Sequence, residues 1–381
     1  MGSKIENMAH MFDNCVNLEL IEGLENLETT NAKDMSFLFN NCNKLTSLNL
    51  SNFDTKNVQN MAYMFNNCAK LKEIDVGSFN TSNVENMYHM FDSCSSITSI
   101  NVSNFDTQKV NSMSNMFSDC IKLTSLDLKT FDIENVYQMN YMFSGCESLA
   151  NLDISSFKTS EIRGLSHMFE DCKLLTKIDL SGFETSKVAS FSHMFKGCSS
   201  LEELKINKFT TSESYDMSYM FYGCESLEEI KVSRFNTSKA TDISYMFYGC
   251  KSLKKLDLKN FDTKEVFSFS NLFDGCLALT SLDLSSFNTR RCEEMSFMFN
   301  NCTSLKKIKM NFDTKNVETM ESMFNNCEKI TSLDLTSFET EKCSNFDNMF
   351  DNCGVQKVTI DEDKNKKLIS ILPDNVEKVK P

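Results

Sequence analysis

The sequence predicts an α/β solenoid: a right-handed stack of about fourteen repeats with one parallel β-sheet and short helices on the other face. Two observations carry that expectation. A Phe-x-x-Cys pattern recurs from Cys15 to Cys353 with a step of 26 residues, lengthened to 27 before Cys42 and shortened to 25 before Cys327. Fixed periods of about 20–50 residues mark units that bury their apolar faces only against their neighbours. Within a unit, Leu45, Leu48 and Leu50 are spaced as a strand, whereas Val58, Met61, Met64, Phe65 and Cys68 follow steps of three, three, one and three, the stripe of a short helix.

Each element can be justified in chain order. "LTSLNL", ending at Leu50, matches L-x-x-L-x-L, the strand signature of leucine-rich repeats, and stacking such strands in parallel needs the rest of the unit as a crossover. Thr55 in "FDTKNV" recurs in most units and reads as a turn or N-cap hydrogen bond. The residue before each Cys, such as Asn67, Gly145, Asp171 or Gly223, tolerates the left-handed conformation and reads as a helix C-cap. At the end, "GVQKVTI" keeps a last strand, and Leu368, Ile369 and Leu372 suit a short helix that covers the open end. The domain reading is one solenoid over 1–381, with repeats over 4–360 and a cap over 361–381. The chain opens halfway through a repeat, which reads as a fragment of a longer protein. The sheet should run roughly 60 Å in an elongated, curved molecule.

The chemistry that composition allows is limited. With 39 Lys and Arg against 53 Asp and Glu, the net charge is −14, and nucleic acid is excluded as the main partner because phosphate neutralisation needs a basic footprint. No apolar run is long enough to span a bilayer. Fourteen of the 16 cysteines form one inward column, and Cys292 and Cys343 take the place of Val58 in their units. Without C-x-x-C pairs these read as buried thiols rather than zinc ligands, with disulfides between adjacent rungs still within geometric reach. A single Thr column with variable neighbours is a turn former rather than an ice-binding ladder. His10, His89, His167 and His193 share a column with Tyr63, Asn115 and Ser322, a partly exposed shelf rather than a metal site. No P-loop, G-x-G-x-x-G, H-E-x-x-H or G-x-S-x-G motif occurs, so no enzyme activity, cofactor or catalytic residue is expected.

Repeats such as "MSYMFYGCESLEEIKVSRFNTSKATD" and "MSNMFSDCIKLTSLDLKTFDIENVYQ" resemble the 26-residue surface repeat of the BspA-like leucine-rich repeat proteins over about residues 4–360. The resemblance implies a bacterial or protist cell-surface protein used in adhesion and in binding host or matrix proteins. It brings neither catalytic residues nor a fixed ligand site. The chain departs from the pattern in showing no signal peptide, lipid-anchor Cys or wall-sorting tail, so an intracellular scaffold or effector in the cytoplasm is the alternative. It also carries Phe53 where an Asn ladder is usual, which assigns the turn after the strand to the Thr column.

Solenoids bind through positions that vary over a fixed frame. Between the strand leucines the outward residue is mostly Asp or Asn, but it becomes Lys at Lys205, Lys231 and Lys309, with Lys208 and Arg234 just beyond the first two. The same stretch holds Tyr215, Tyr219, Tyr222, Tyr245 and Tyr248. Tyrosine and positive charge favour interfaces, so these residues form the expected binding site for a protein partner of a monomeric chain. Ser214 and Ala240 replace the usual Val in this stretch, from which a softened segment over residues 205–250 is expected.

Overall fold

The structure, a computed structural model, describes residues 5–381. The chain divides into two compact units, Met1–Val188 with Gly197–Lys208, and Ala189–Lys196 with Phe209–Pro381. In the first unit a column of parallel bridges links Asn7, Asp34, Asn60, Asn86, Ser112, Gln138 and Gly164; in the second it links Ser190, Asp216, Asp242, Ser268, Glu294, Thr319 and Asn345. Each unit is a solenoid of seven such rungs.

The helices expected between Val58 and Cys68 and in the equivalent segments do not form. Tyr63 and Asn67 stand at φ of 59° and 54°, and the same two columns are left-handed along both units. The N–H groups of Met61, Tyr63, Phe65 and Asn67 donate to the carbonyls of Asn86, Tyr88, Met90 and Asp92 in the next rung, at 2.7–3.1 Å. Those of Met64, Asn66 and Cys68 donate three residues back to Met61, Tyr63 and Phe65, each at 3.2 Å. The segment is a run of linked turns in which every second N–H leaves the rung. The residue before Cys is left-handed as expected, yet it closes a turn and caps no helix.

The single long sheet is corrected as well. Strand β1 (Lys177–Asp179) pairs with β2 (Glu203–Lys205) and β3 (Ser281–Asp283) with β4 (Lys307–Lys309), while β5 (Ser332–Asp334), β6 (Lys357–Thr359) and β7 (Glu377–Val379) form a three-stranded sheet, all parallel. Elsewhere the strand column is held by single bridges such as Ser99–Ser125 and Glu229–Lys255. Where the outward residue is Asp or Asn, it turns the chain directly after the strand. The Asp153 carboxylate accepts from the Ser155 N–H and hydroxyl, at 3.2 and 2.7 Å, and Asp179 accepts from the Ser181 N–H at 2.9 Å. This turn is therefore closed by the strand's own acid, not by the Thr column. Thr55 instead clasps the next rung: its hydroxyl accepts the Asn80 N–H at 2.8 Å and donates to the Asn80 carbonyl at 3.0 Å.

The core is built of columns. Phe39, Phe65, Phe91, Phe117, Phe143 and Phe169 are fully buried and stack in series with centroids 5.5–6.0 Å apart. Beside them the cysteines are buried, except for half-buried Cys15 and Cys353 at the two ends. In the repeat column from Cys42 to Cys327 each thiol donates to the previous rung, Cys68 to the Phe39 carbonyl at 3.3 Å and Cys94 to that of Phe65 at 3.2 Å.

The cap is a short helix α1 (Lys366–Ile369) with Leu368 buried, followed by β7, a strand the sequence reading missed. Asn365 anchors it by donating to the Phe338 carbonyl at 2.9 Å. Strand β6 enters one residue early, since "CGVQKV" lacks a residue present in "CEKITSL". The shortcut brings the Gly354 N–H to the Cys327 carbonyl at 3.1 Å, and a methyl on Gly354 would run into the backbone carbonyl of Glu328. Gly354→Ala is expected to cost about 1–3 kcal/mol in urea unfolding. Gly77→Ala, at a position that carries serine at Ser51 and Ser103, should change little. Equal stability of the two variants would show that no close approach exists at Gly354.

Candidate binding site

The first unit carries an open groove of about 880 Å³ on its strand column, spanning five rungs. Its floor is Ile100, Leu126, Leu152 and Ile178, which the alternation of the strand turns inward so that each is under 10 % exposed. Its walls are the outward residues: Ser99 and Asn101, Ser125 and Asp127, Asn151 and Asp153, Lys177 and Asp179, Glu203 and Lys205. The frame is constant and the wall residues differ from rung to rung.

The electrostatics follow from the turn chemistry. The Ser155 hydroxyl and N–H hold the Asp153 carboxyl below the ordinary range. Asp179 is lowered first by Ser181 and then by Lys205. Lys205 reaches back to Asp179 at 3.1 Å and to Glu203 at 3.4 Å, and Lys309 repeats this in the second unit with Asp283 at 3.2 Å. Two of the three lysines that interrupt the acidic column, Lys205 and Lys309, are thus paired with the acid of the preceding rung. Exposed pairs of this kind are worth about 0–1 kcal/mol. Their effect is to leave a wall of alternating charge.

The residues expected to form one site belong to both units and to two columns of the repeat. Lys205 and exposed Lys208 belong to the first unit, and only Lys205 lines the groove. In the second unit Lys231 and Arg234 are exposed on the strand column and its following turn, with Lys231 3.9 Å from Glu229. The tyrosines stand on the turn column. Tyr219 stacks on Tyr245 and Tyr222 on Tyr248, both at 4.5 Å, and Tyr219 meets Tyr222 at 5.6 Å, so four half-buried rings form one block. Burial first, and neighbouring tyrosines and aspartates after it, raise the Tyr219 and Tyr248 hydroxyls. Tyr215 is 55 % exposed. Ser214 is fully buried and donates to the Asp216 carbonyl at 3.2 Å, as Cys292 does to Glu294 at 3.1 Å, so the Val column accepts a small donor that bonds two residues on.

Two features escaped the sequence reading. The groove floor was legible as core leucine but not as a surface that shapes a cleft. The left-handed column forms a ring stack, His10, Phe37, Tyr63 and His89, with centroids 4.4–4.5 Å apart. Its signal was present in the recurrence of flat rings at a 26-residue step, which places them one strand spacing apart. His89 is tied to Asp92 at 2.5 Å and His167 to Glu170 at 2.6 Å. Among the described residues no group of three or more His, Cys, Asp and Glu could hold a metal ion, and no helix is long and apolar enough to cross a membrane.

Stacked rungs, leucine-spaced strands and a groove walled by variable residues define a leucine-rich repeat solenoid. The chain belongs to the family described as "Mycoplasma protein of unknown function, DUF285", whose model matches residues 6–123, 93–203, 165–282 and 267–371. No curated protein matches it. Among solved structures it is similar to a leucine-rich repeat protein from Bacteroides ovatus, at 18 % identity over 88 % of each chain and a TM-score of 0.45. It is also similar to a leucine-rich cell surface protein from Faecalibacterium prausnitzii, at 15 % identity over 71 % of this chain and 76 % of that one, with a TM-score of 0.37. The functional domain of InlJ from Listeria monocytogenes, described as including a cysteine ladder, matches at 15 % identity over 94 % of this chain and 70 % of that one, with a TM-score of 0.35. The rung geometry described above stands without these three.

Proposed function

We propose that this chain is a non-catalytic protein-binding module of a bacterial cell surface, adhesin-like in its action on host or matrix proteins. The observation that carries the reading is the groove of the first unit, where a rigid apolar floor supports wall residues that change from rung to rung. Such a surface gives a protein partner shape and a charge pattern while the frame stays fixed. The surface location is supported by the 26-residue frame itself. Labelling of the chain on intact cells by a membrane-impermeant reagent tests it, and labelling only after lysis would favour the intracellular scaffold.

The binding reading is tested by capture on immobilised matrix proteins. Replacing Asn151 and Lys205 by Ala should weaken the captured complex about tenfold, with the unfolding midpoint unchanged. A second reading rests on the tyrosine block, four adjacent half-buried rings in the second unit. If Tyr222→Ala with Tyr248→Ala weakens capture and the groove variant does not, the tyrosine face is the contact surface. Loss through neither set removes both surfaces from consideration.

A further inference from the structure

We propose that the second unit holds a saccharide, one pyranose ring seated between the aromatic rings of Tyr245 and Phe297 on the turn column. The left-handed column runs Tyr219, Tyr245, Asn271 and Phe297 at successive rungs, all at φ of 57–59°. Its rings lie face to face along the stacking direction, Tyr219 on Tyr245 at 4.5 Å with 8° between their planes. At Asn271 the stack lacks one ring. Two steps of 4.5 Å set Tyr245 and Phe297 about 9 Å apart, and the side chain of Asn271 is shorter than either ring. A groove of about 460 Å³ opens at this rung, lined by Tyr245, Asn271 and Phe297 together with the hydroxyls and carboxylates beside them. Every residue that lines it belongs to the second unit.

Asn271 forms the floor. It is 8 % exposed, and among the described residues its side-chain amide makes no hydrogen bond although it lines the groove. A buried polar group left without a partner costs about 1–3 kcal/mol, and a hydroxyl in the groove would satisfy this one, because an amide both donates and accepts. Beside it Glu294 accepts from the Ser270 hydroxyl at 3.0 Å and Glu321 from the Asn345 amide at 3.0 Å, each through one carboxylate oxygen. Among the described residues neither glutamate is in an ion pair, so the second oxygen of each stays available. The Ser296 and Thr319 hydroxyls bond each other at 2.9 Å and complete a lining of donors and acceptors that holds no cation. Sugar hydroxyls fit such a lining and an anion does not. The width decides between a sugar and a flat cation. A planar group touching both rings needs them about 7 Å apart, two carbon contacts of about 3.5 Å. A pyranose is puckered and carries C–H bonds on both faces, so it fills the wider slot and sets those bonds against the negative faces of the two rings.

Titration of the full chain with the methyl glycosides of glucose, galactose, mannose and N-acetylglucosamine, followed by saturation-transfer NMR, tests this. The wild type should bind at least one of them. Asn271→Phe places in the gap a residue that the column already holds at Phe37 and Phe297, and it should abolish binding with the circular dichroism unchanged. Phe297→Ala, which removes one wall, should weaken binding about tenfold. Glu294→Gln keeps a hydrogen-bonding group and should weaken it less. The variant with Asn151 and Lys205 replaced should bind glycosides as the wild type does, which separates this site from the groove of the first unit. Failure of all four glycosides to bind, or binding that survives Asn271→Phe, would overturn the proposal. Binding of arginine methyl ester in their place, lost in Glu294→Gln, would overturn it equally by making the slot a cation site.

Discussion

Raising the pH above 9 is expected to unfold the protein in a steep transition that is complete before pH 12. Burial pushes the thiols of Cys94, Cys250 and Cys292 up to about 12, against the weaker opposing pull of the backbone bonds they make. Cys68, Cys120, Cys172 and Cys276 are raised well above 9.0, first by burial and then by the cysteines of adjacent rungs. In the unfolded chain each thiol ionises near its ordinary value of 9.0. The folded value lies above the unfolded one, so the fold keeps its full stability below pH 9. Between 9 and 12 the unfolded chain sheds protons that the folded chain retains, and stability falls. Each buried thiol contributes on the order of 1 kcal/mol of loss per pH unit. Several acting together exceed the margin of about 5–15 kcal/mol that a domain commonly has. Circular dichroism against pH measures this, and replacing Cys94 and Cys120 by Ala should move the transition to higher pH. A fold that persists at pH 12, or a transition indifferent to those two residues, would show that the thiol column does not govern alkaline stability.

Phe143→Ala should have the largest effect of any single core substitution in the first unit, about 3–5 kcal/mol. Its ring is fully buried between Phe117 at 6.0 Å and Phe169 at 5.7 Å, so truncation leaves a void that neither flanking ring can close without losing its own stack. The damage should stay near its origin, because each rung leans only on its neighbours. Hydrogen exchange should therefore accelerate around residues 113–170 and far less around Phe39. Phe12→Ala, where the ring is half-exposed in the first rung, should cost markedly less. Uniform acceleration across the unit would mean that the rungs unfold as one block.

What the sequence disclosed is the repeat, the inward columns and the short strand. The step of 26 residues, the thiol column and the Phe columns could be counted because every unit repeats the same burial problem. The helix was misread for a definite reason. Met61, Met64, Phe65 and Cys68 fit a helical period of about 3.6, but over eight residues they fit equally well the four-residue period of linked turns with Tyr63 and Asn67 left-handed. A bulky aromatic at positive φ is disfavoured locally, and only the inter-rung bond and the ring stack that reward it select this backbone. The candidate site was less legible still. Lys205 was singled out for its charge, yet its partner Asp179 lies a full repeat away and that pairing is invisible to a reading along one unit. The Asp and Asn that looked like an acidic face turned out to close the turn after the strand.

The turn column has an electrical consequence. In a β-sheet successive peptide units along a strand point to opposite sides, so their dipoles across the sheet largely cancel. Here the N–H groups of Met61, Tyr63, Phe65 and Asn67 all point toward the following rung, and the carbonyls that receive them all point back. Each peptide unit carries about 3.5 debye, and aligned units add. Every rung of a unit therefore adds four parallel dipoles along the stacking direction, with the positive pole toward its last rung and the negative pole toward its first. This is the sense opposite to that of an α-helix, whose positive pole is its beginning. A unit built this way favours anions at its last rung and cations at its first.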